Sequence, residues 1–128
     1  MDKEYLMDTN ILIYYFADAI PDKELNMVEE IFKTSFNISI ITKIEFLGWE
    51  KHTEEGFEEA RNFVDFAEVI PLTNEVANLT IDIRRKCKIK LPDAVIAATA
   101  LHNNLILVTR NGDDFKDVDG LMIYNPFK

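Results

Sequence analysis

Four short runs rich in Val, Ile and Leu, near residues 4–7, 37–41, 68–70 and 105–109, alternate with longer stretches of helical spacing. Nothing else in the chain narrows its fold as far. The runs are too uniformly apolar for strands with one wet face, and strand–helix alternation favours parallel pairing through helical crossovers. A further strand is expected near 121–124. The expected fold class is therefore α/β, with a mostly parallel central sheet of four to five strands and helices on both faces. With 128 residues, 48% of them hydrophobic, the chain can bury one sizeable core and is short for two. A single domain over 1–128 is expected.

Helices are expected at 11–16, 22–33 and 42–51, and a fourth is marked by Phe57, Ala60, Val64 and Ala67 at helical intervals. Thr73, just after Pro71, suits the N-cap of a helix whose Val76, Leu79, Ile83 and Cys87 form one stripe, which assigns Cys87 to the core. Residues 93–104 are apolar nearly all round through Leu101, as in a helix buried against a sheet.

Against this background the acids stand out. Asp8 follows YLM, Glu45 follows ISIITKI, Asp93 follows IKLP and Asp114 follows LILVTRNGD. A carboxylate at the end of a buried segment loses solvation unless something cationic meets it, and converging carboxylates also repel one another. A divalent ion resolves both problems. In an open parallel sheet the crevice lies beyond the carboxyl ends of the strands, and Asp8, Glu45 and Asp114 all fall on that rim. Each acid also has a local explanation. Asp8 suits a helix cap, Thr42 and Glu45 have capping-box spacing, and Asp93 and Asp114 suit first helical turns.

Composition removes other classes. The formal charge of −9 opposes nonspecific nucleic-acid binding, which needs clustered cations. One cluster exists, Arg84, Arg85, Lys86, Lys88 and Lys90, either a local polyanion contact or a helix end whose cations offset the macrodipole. His52 and His102 have no partner at zinc-ligand spacing. No Gly-rich phosphate loop or nucleophile elbow is present. Tyr14, Tyr15, Phe16, Trp49 and Phe57 are read as core or subunit-interface residues rather than base-stacking platforms. No apolar stretch approaches the roughly 20 residues of a membrane helix, and MDKEYLMDTN does not read as a secretory leader. With Cys87 alone, a soluble, cytoplasmic protein is expected.

Four segments, MDTNILIYYF, ISIITKIEFLGWE, KLPDAVIAATALHNNLILVTRNGDDF and GLMIYNPF, occur in the order and spacing of a known family. The chain resembles the PIN-domain ribonucleases, and within them the VapC-type toxins of toxin–antitoxin pairs. The resemblance implies a PIN-like fold and a metal-dependent endoribonuclease that hydrolyses RNA phosphodiester bonds. It assigns Asp8, Glu45, Asp93 and Asp114 to the metal, and Thr9, Asn10, Thr109 and Asn111 to polar positions around it. Relatives often carry an aspartate where this chain has Asn111, and Asp113 lies outside the matched position. Mg2+ or Mn2+ suits a donor set made only of hard oxygens. An RNA substrate, an antitoxin whose tail crosses the site, and a homodimer are the implied partners, with Arg84 to Lys90 as candidate RNA contacts. The rival reading is a catalytically inactive PIN-like interaction module. A haloacid-dehalogenase-like phosphatase would need an aspartate where Asn10 stands, and a receiver domain would need a phosphoacceptor at the end of a middle strand.

Overall fold

Every apolar run expected to be a strand forms one, that at 68–70 over its full length and the others over part of theirs. The computed structural model describes residues 3–127. The strands are β1 (Tyr5–Met7), β2 (Asn37–Ser39), β3 (Glu68–Ile70), β4 (Ile106–Val108) and β5 (Ile123–Tyr124). They form one sheet in the order β3-β2-β1-β4-β5 with every neighbouring pair parallel. The helices are α1 (Thr9–Phe16), α2 (Asp22–Thr34), α3 (Ile40–Leu47), α4 (Glu54–Val64), α5 (Asn74–Lys86) and α6 (Leu91–His102). Thus the expected α/β architecture, a parallel sheet with helices on both faces, is present, with five strands among the described residues.

Side-chain alternation along the strands makes two cores, one on each face of the sheet. Leu6 and Leu107 pack with Val76, Ile83 and the alanines of α6, while Met7, Val108 and Ile38 pack with Ile11, Val28, Ile31, Phe46 and Val64. Helix α6 is buried without interruption from Ala94 to Ala100. Alanines at 94, 97, 98 and 100 leave little bulk between its backbone and its neighbours. On the other face, Phe16, Phe32, Phe36, Phe46, Phe63 and Tyr15 interlock through tilted and edge-to-face ring contacts of 4.9–6.2 Å. Cys87 is half-buried against the first core.

Several boundaries move, each for a local reason. The strand expected to run to residue 41 stops at Ser39, whose hydroxyl accepts from the Ile41 N–H at 3.0 Å and caps α3. The helix expected over 42–51 therefore occupies Ile40–Leu47, ends at Gly48, and forms no Thr42–Glu45 capping box. Helix α4 stops at Val64, short of Ala67. Helix α6 starts two residues before Asp93, where Pro92 suits a first turn with no backbone donor to satisfy. Among the described residues no helix is long and apolar enough to cross a membrane.

Candidate active site

The sheet reverses its order at β1: the chain moves outward to β2 and β3, then returns to place β4 on the other side of β1. The ends of β1 and β4 therefore face the crevice where open parallel sheets take ligands. Asp8 and Thr109 are the first residues past those two strands, and the Thr109 hydroxyl donates to Asp8 Oδ2 at 2.7 Å. The other carboxylate oxygen, Oδ1, accepts from the Thr9 N–H at 2.8 Å and caps α1. Asp8 is only 4% exposed. Burial, assisted by the charges of Asp93 and Glu45, pushes its pKa from the ordinary 3.8 to about 6 against the pull of its two hydrogen bonds.

Helix α3 brings the next acid. The Thr9 hydroxyl donates to Glu45 Oε1 at 2.7 Å and shares a 3.0 Å hydrogen bond with the buried Thr42 Oγ1. Thr42 and Glu45 lie one turn apart on α3, so both face the start of α1. Asp93, half-buried in the first turn of α6, has its carboxyl pKa raised by burial and then by Asp114 and Glu45, with Lys90 opposing. Asp8, Glu45 and Asp93 line one open cleft of about 490 Å³, together with Thr9, Asn10, Ile13, Trp49 and Glu50. Asp93 also lines an adjoining cleft of about 260 Å³ with Asp113, Asp114, Lys88, Lys90 and Lys116.

The acids are thus gathered, but not closed on one point. Among the described residues, no group of three His, Cys, Asp or Glu side chains stands ready to hold an ion as placed. Chemistry still favours a hard cation: the donors are all oxygens, and the buried Asp8 faces two further acids whose charges raise its pKa. Asn10 lines the acid cleft. Asn111 reaches the site through its backbone, its N–H donating to Thr109 Oγ1 at 3.0 Å.

The basic run divides. Lys88 and Lys90 border the second cleft, whereas Arg84 turns its guanidinium to the Ile89 carbonyl at 3.3 Å and Lys86 lines a separate hollow beside Asp82. Arg84, Arg85 and Lys86 occupy the last turn of α5, where their charges oppose the helix dipole. His52 is tied through Nε2 to the Phe46 carbonyl at 2.7 Å. Thr42, which its spacing paired with Glu45 as a capping box, instead meets the Thr9 hydroxyl, while the places of Lys116 and Trp49 beside the acids have no signal in the sequence.

Comparison with known proteins agrees with this fold. A profile of the PIN domain matches residues 5–121. A toxin–antitoxin complex from Klebsiella pneumoniae contains a chain 32% identical, with 98% of this chain and 99% of that one covered at a TM-score of 0.80. VapBC2 from Rickettsia felis, bound to a DNA fragment from its promoter, is 26% identical over 94% of this chain and 97% of that one, at a TM-score of 0.80. DNA-bound VapBC from Salmonella typhimurium shares the fold at a TM-score of 0.84 and 24% identity, covering 98% of this chain and 99% of that one. The search of curated proteins found no match. The expected likeness to VapC-type members is borne out, and this chain belongs to the PIN-domain family.

Proposed function

We propose that this protein is a metal-dependent endoribonuclease, the toxin of a toxin–antitoxin pair. The observation that carries the reading is the meeting of Asp8, Glu45 and Asp93 in one cleft at the switch point of a parallel sheet. Asp8, Glu45, Asp93 and Asp114 would hold one or two Mg2+ or Mn2+ ions, which when bound supply a water of lowered pKa and offset charge on the scissile phosphodiester. Thr109 and the Thr9 N–H fix both oxygens of Asp8, so this carboxylate cannot rotate away. The Thr9 hydroxyl orients Glu45. Asn10 and Asn111 complete the polar surroundings of the acids, and no protein nucleophile is required. Lys88 and Lys90, with Lys116, would grip a backbone phosphate beside Asp93, while the remaining negative surface turns away nucleic acid that lacks the right local shape.

The neighbouring structures are complexes, and an antitoxin partner is part of this reading. A tail bearing a basic side chain would be held over the acidic cleft by complementary charge. A homodimer and a cytoplasmic setting accompany it. The test is RNA cleavage by the purified chain with Mg2+, with chelator, and after Asp8→Asn or Asp93→Asn. Activity that survives exhaustive chelation, or either variant cleaving at the parent rate, overturns the reading. One observation favours an inactive interaction module instead: Asp8 already serves as the cap of α1. Calorimetric titration with Mn2+ separates the two, since the module gives no binding heat.

A further inference from the structure

The turn between α3 and α4 carries the molecule's single tryptophan to the rim of the acid cleft. Trp49 is half-buried and forms part of the wall of two hollows at once. One is the cleft of Asp8, Glu45 and Asp93; the other, about 440 Å³, is lined by Trp49, His52, Thr53, Glu54, Phe57 and Glu58. The indole is braced edge-to-face by His52 with ring centroids 5.1 Å apart, and His52 is itself pinned to the Phe46 carbonyl. Gly48 makes the turn tight: a Cβ there would lie 2.8 Å from the Ile44 carbonyl oxygen. A rigid aromatic wall beside the acids is a different object from the core aromatics around Phe63.

Resting on the nuclease reading, we infer that the hollow between Trp49 and Phe57 takes an unpaired nucleobase of the RNA strand whose phosphate lies over the acid cleft. Aromatic faces stack on any base, and single-stranded RNA is read largely in this way. The charge of the hollow decides which part of the strand enters. Among the described residues no lysine or arginine lines the hollow, and Glu58 is paired with Arg61 at 3.8 Å, so Glu54 is the carboxylate that repels a phosphate and accepts hydrogen bonds from a base amino group. Cytosine, which presents an amino group where uracil presents a carbonyl, is therefore preferred over uracil.

Because Trp49 is the only tryptophan, its fluorescence reports the site directly. The full chain in Mg2+ is mixed by stopped flow with a short oligocytidylate or oligouridylate, so that binding is read before turnover. Saturable quenching is expected, stronger at a given concentration of the cytidylate. Anisotropy of the labelled strand should show binding weakened about tenfold to a hundredfold by Trp49→Ala and largely retained by Trp49→Phe. A strand that binds without quenching, or equal affinity for wild type and Trp49→Ala, overturns the inference. So does a Trp49→Ala variant that loses only antitoxin binding. Equal affinity for the two oligomers overturns the amino-group contact. Metal-dependent cleavage without quenching sinks this inference alone, whereas quenching without cleavage sinks only the nuclease reading.

Discussion

Replacing Asp8 by asparagine should make the metal-free protein more stable, although it removes a residue placed at the centre of the site. Asp8 is buried, and its carboxyl pKa is raised from 3.8 to about 6. A carboxyl that holds its proton more tightly when folded favours the folded state while protonated. Stability therefore falls as pH climbs from about 4 through about 6, and stays low above that. Two pKa units at 1.36 kcal/mol each give a penalty of about 3 kcal/mol at pH 8 that is nearly absent at pH 4. Asparagine has the same shape without the charge, and its amide can keep the Thr9 contact.

For a chain of this length, that difference corresponds to a gain in melting temperature on the order of 10 °C at pH 8. Thermal melts of both proteins with chelator at pH 4 and pH 8 measure it. The gain should be confined to the higher pH. Adding Mg2+ at a hundredfold excess over its dissociation constant should then raise wild-type stability by about 2.7 kcal/mol and leave the variant nearly unchanged. An Asp8→Asn protein that melts no higher than wild type at pH 8, or gains equally at both pH values, refutes the reasoning.

Thr9→Val removes the hydroxyl that orients Glu45 and leaves the buried Thr42 hydroxyl without its partner. It should lower stability by about 1–3 kcal/mol in urea titration, and slow RNA cleavage while RNA binding holds. Phe46→Ala empties a fully buried site against Phe16, and a loss of about 3–5 kcal/mol is expected in the same assay. Changing Lys88, Lys90 and Lys116 to Gln should weaken RNA binding and reduce its slope against log salt by about 0.7 for each phosphate contact removed. The same change at Arg84 and Arg85, which do not line that cleft, should leave the slope unaltered.

Strand order is where reading the chain stopped and folding took over. The apolar runs announced strands because segments covered on both faces have no polar alternation to disguise them. Their ends were obscured for the same reason: Ile40 and Ile41 look like a continuation of β2, and only the Ser39 hydroxyl converts them into a helix. A one-turn cap can override propensity, even for β-branched isoleucine, whose own preference leans toward the strand. The basic run misled in the opposite way. Arg84 to Lys90 reads as one patch along the sequence, yet α5 ends inside it, so its halves face different surroundings. The aromatic residues were harder still. Phe16 and Trp49 both sit near acids, and only the packing shows one interlocked with Phe46 and Phe63 and the other walling a cleft.

The local and the functional explanations of the acids were framed as rivals, and Asp8 shows that they are one device. Its Oδ1 caps α1 and its Oδ2 receives Thr109 from the neighbouring strand, so the two ends of the switch point are tied by a single carboxylate. A cap made by a serine would satisfy the helix equally well. It could not bridge to Thr109 as an acceptor on both sides, nor carry a charge whose burial destabilises the protein. Capping thus explains the geometry of Asp8 but not its ionisation. The remainder, a charge held at an energetic loss beside two others of like sign, is what a bound cation would remove. The pH-dependent melting of Asp8→Asn measures that remainder directly, separately from the cap.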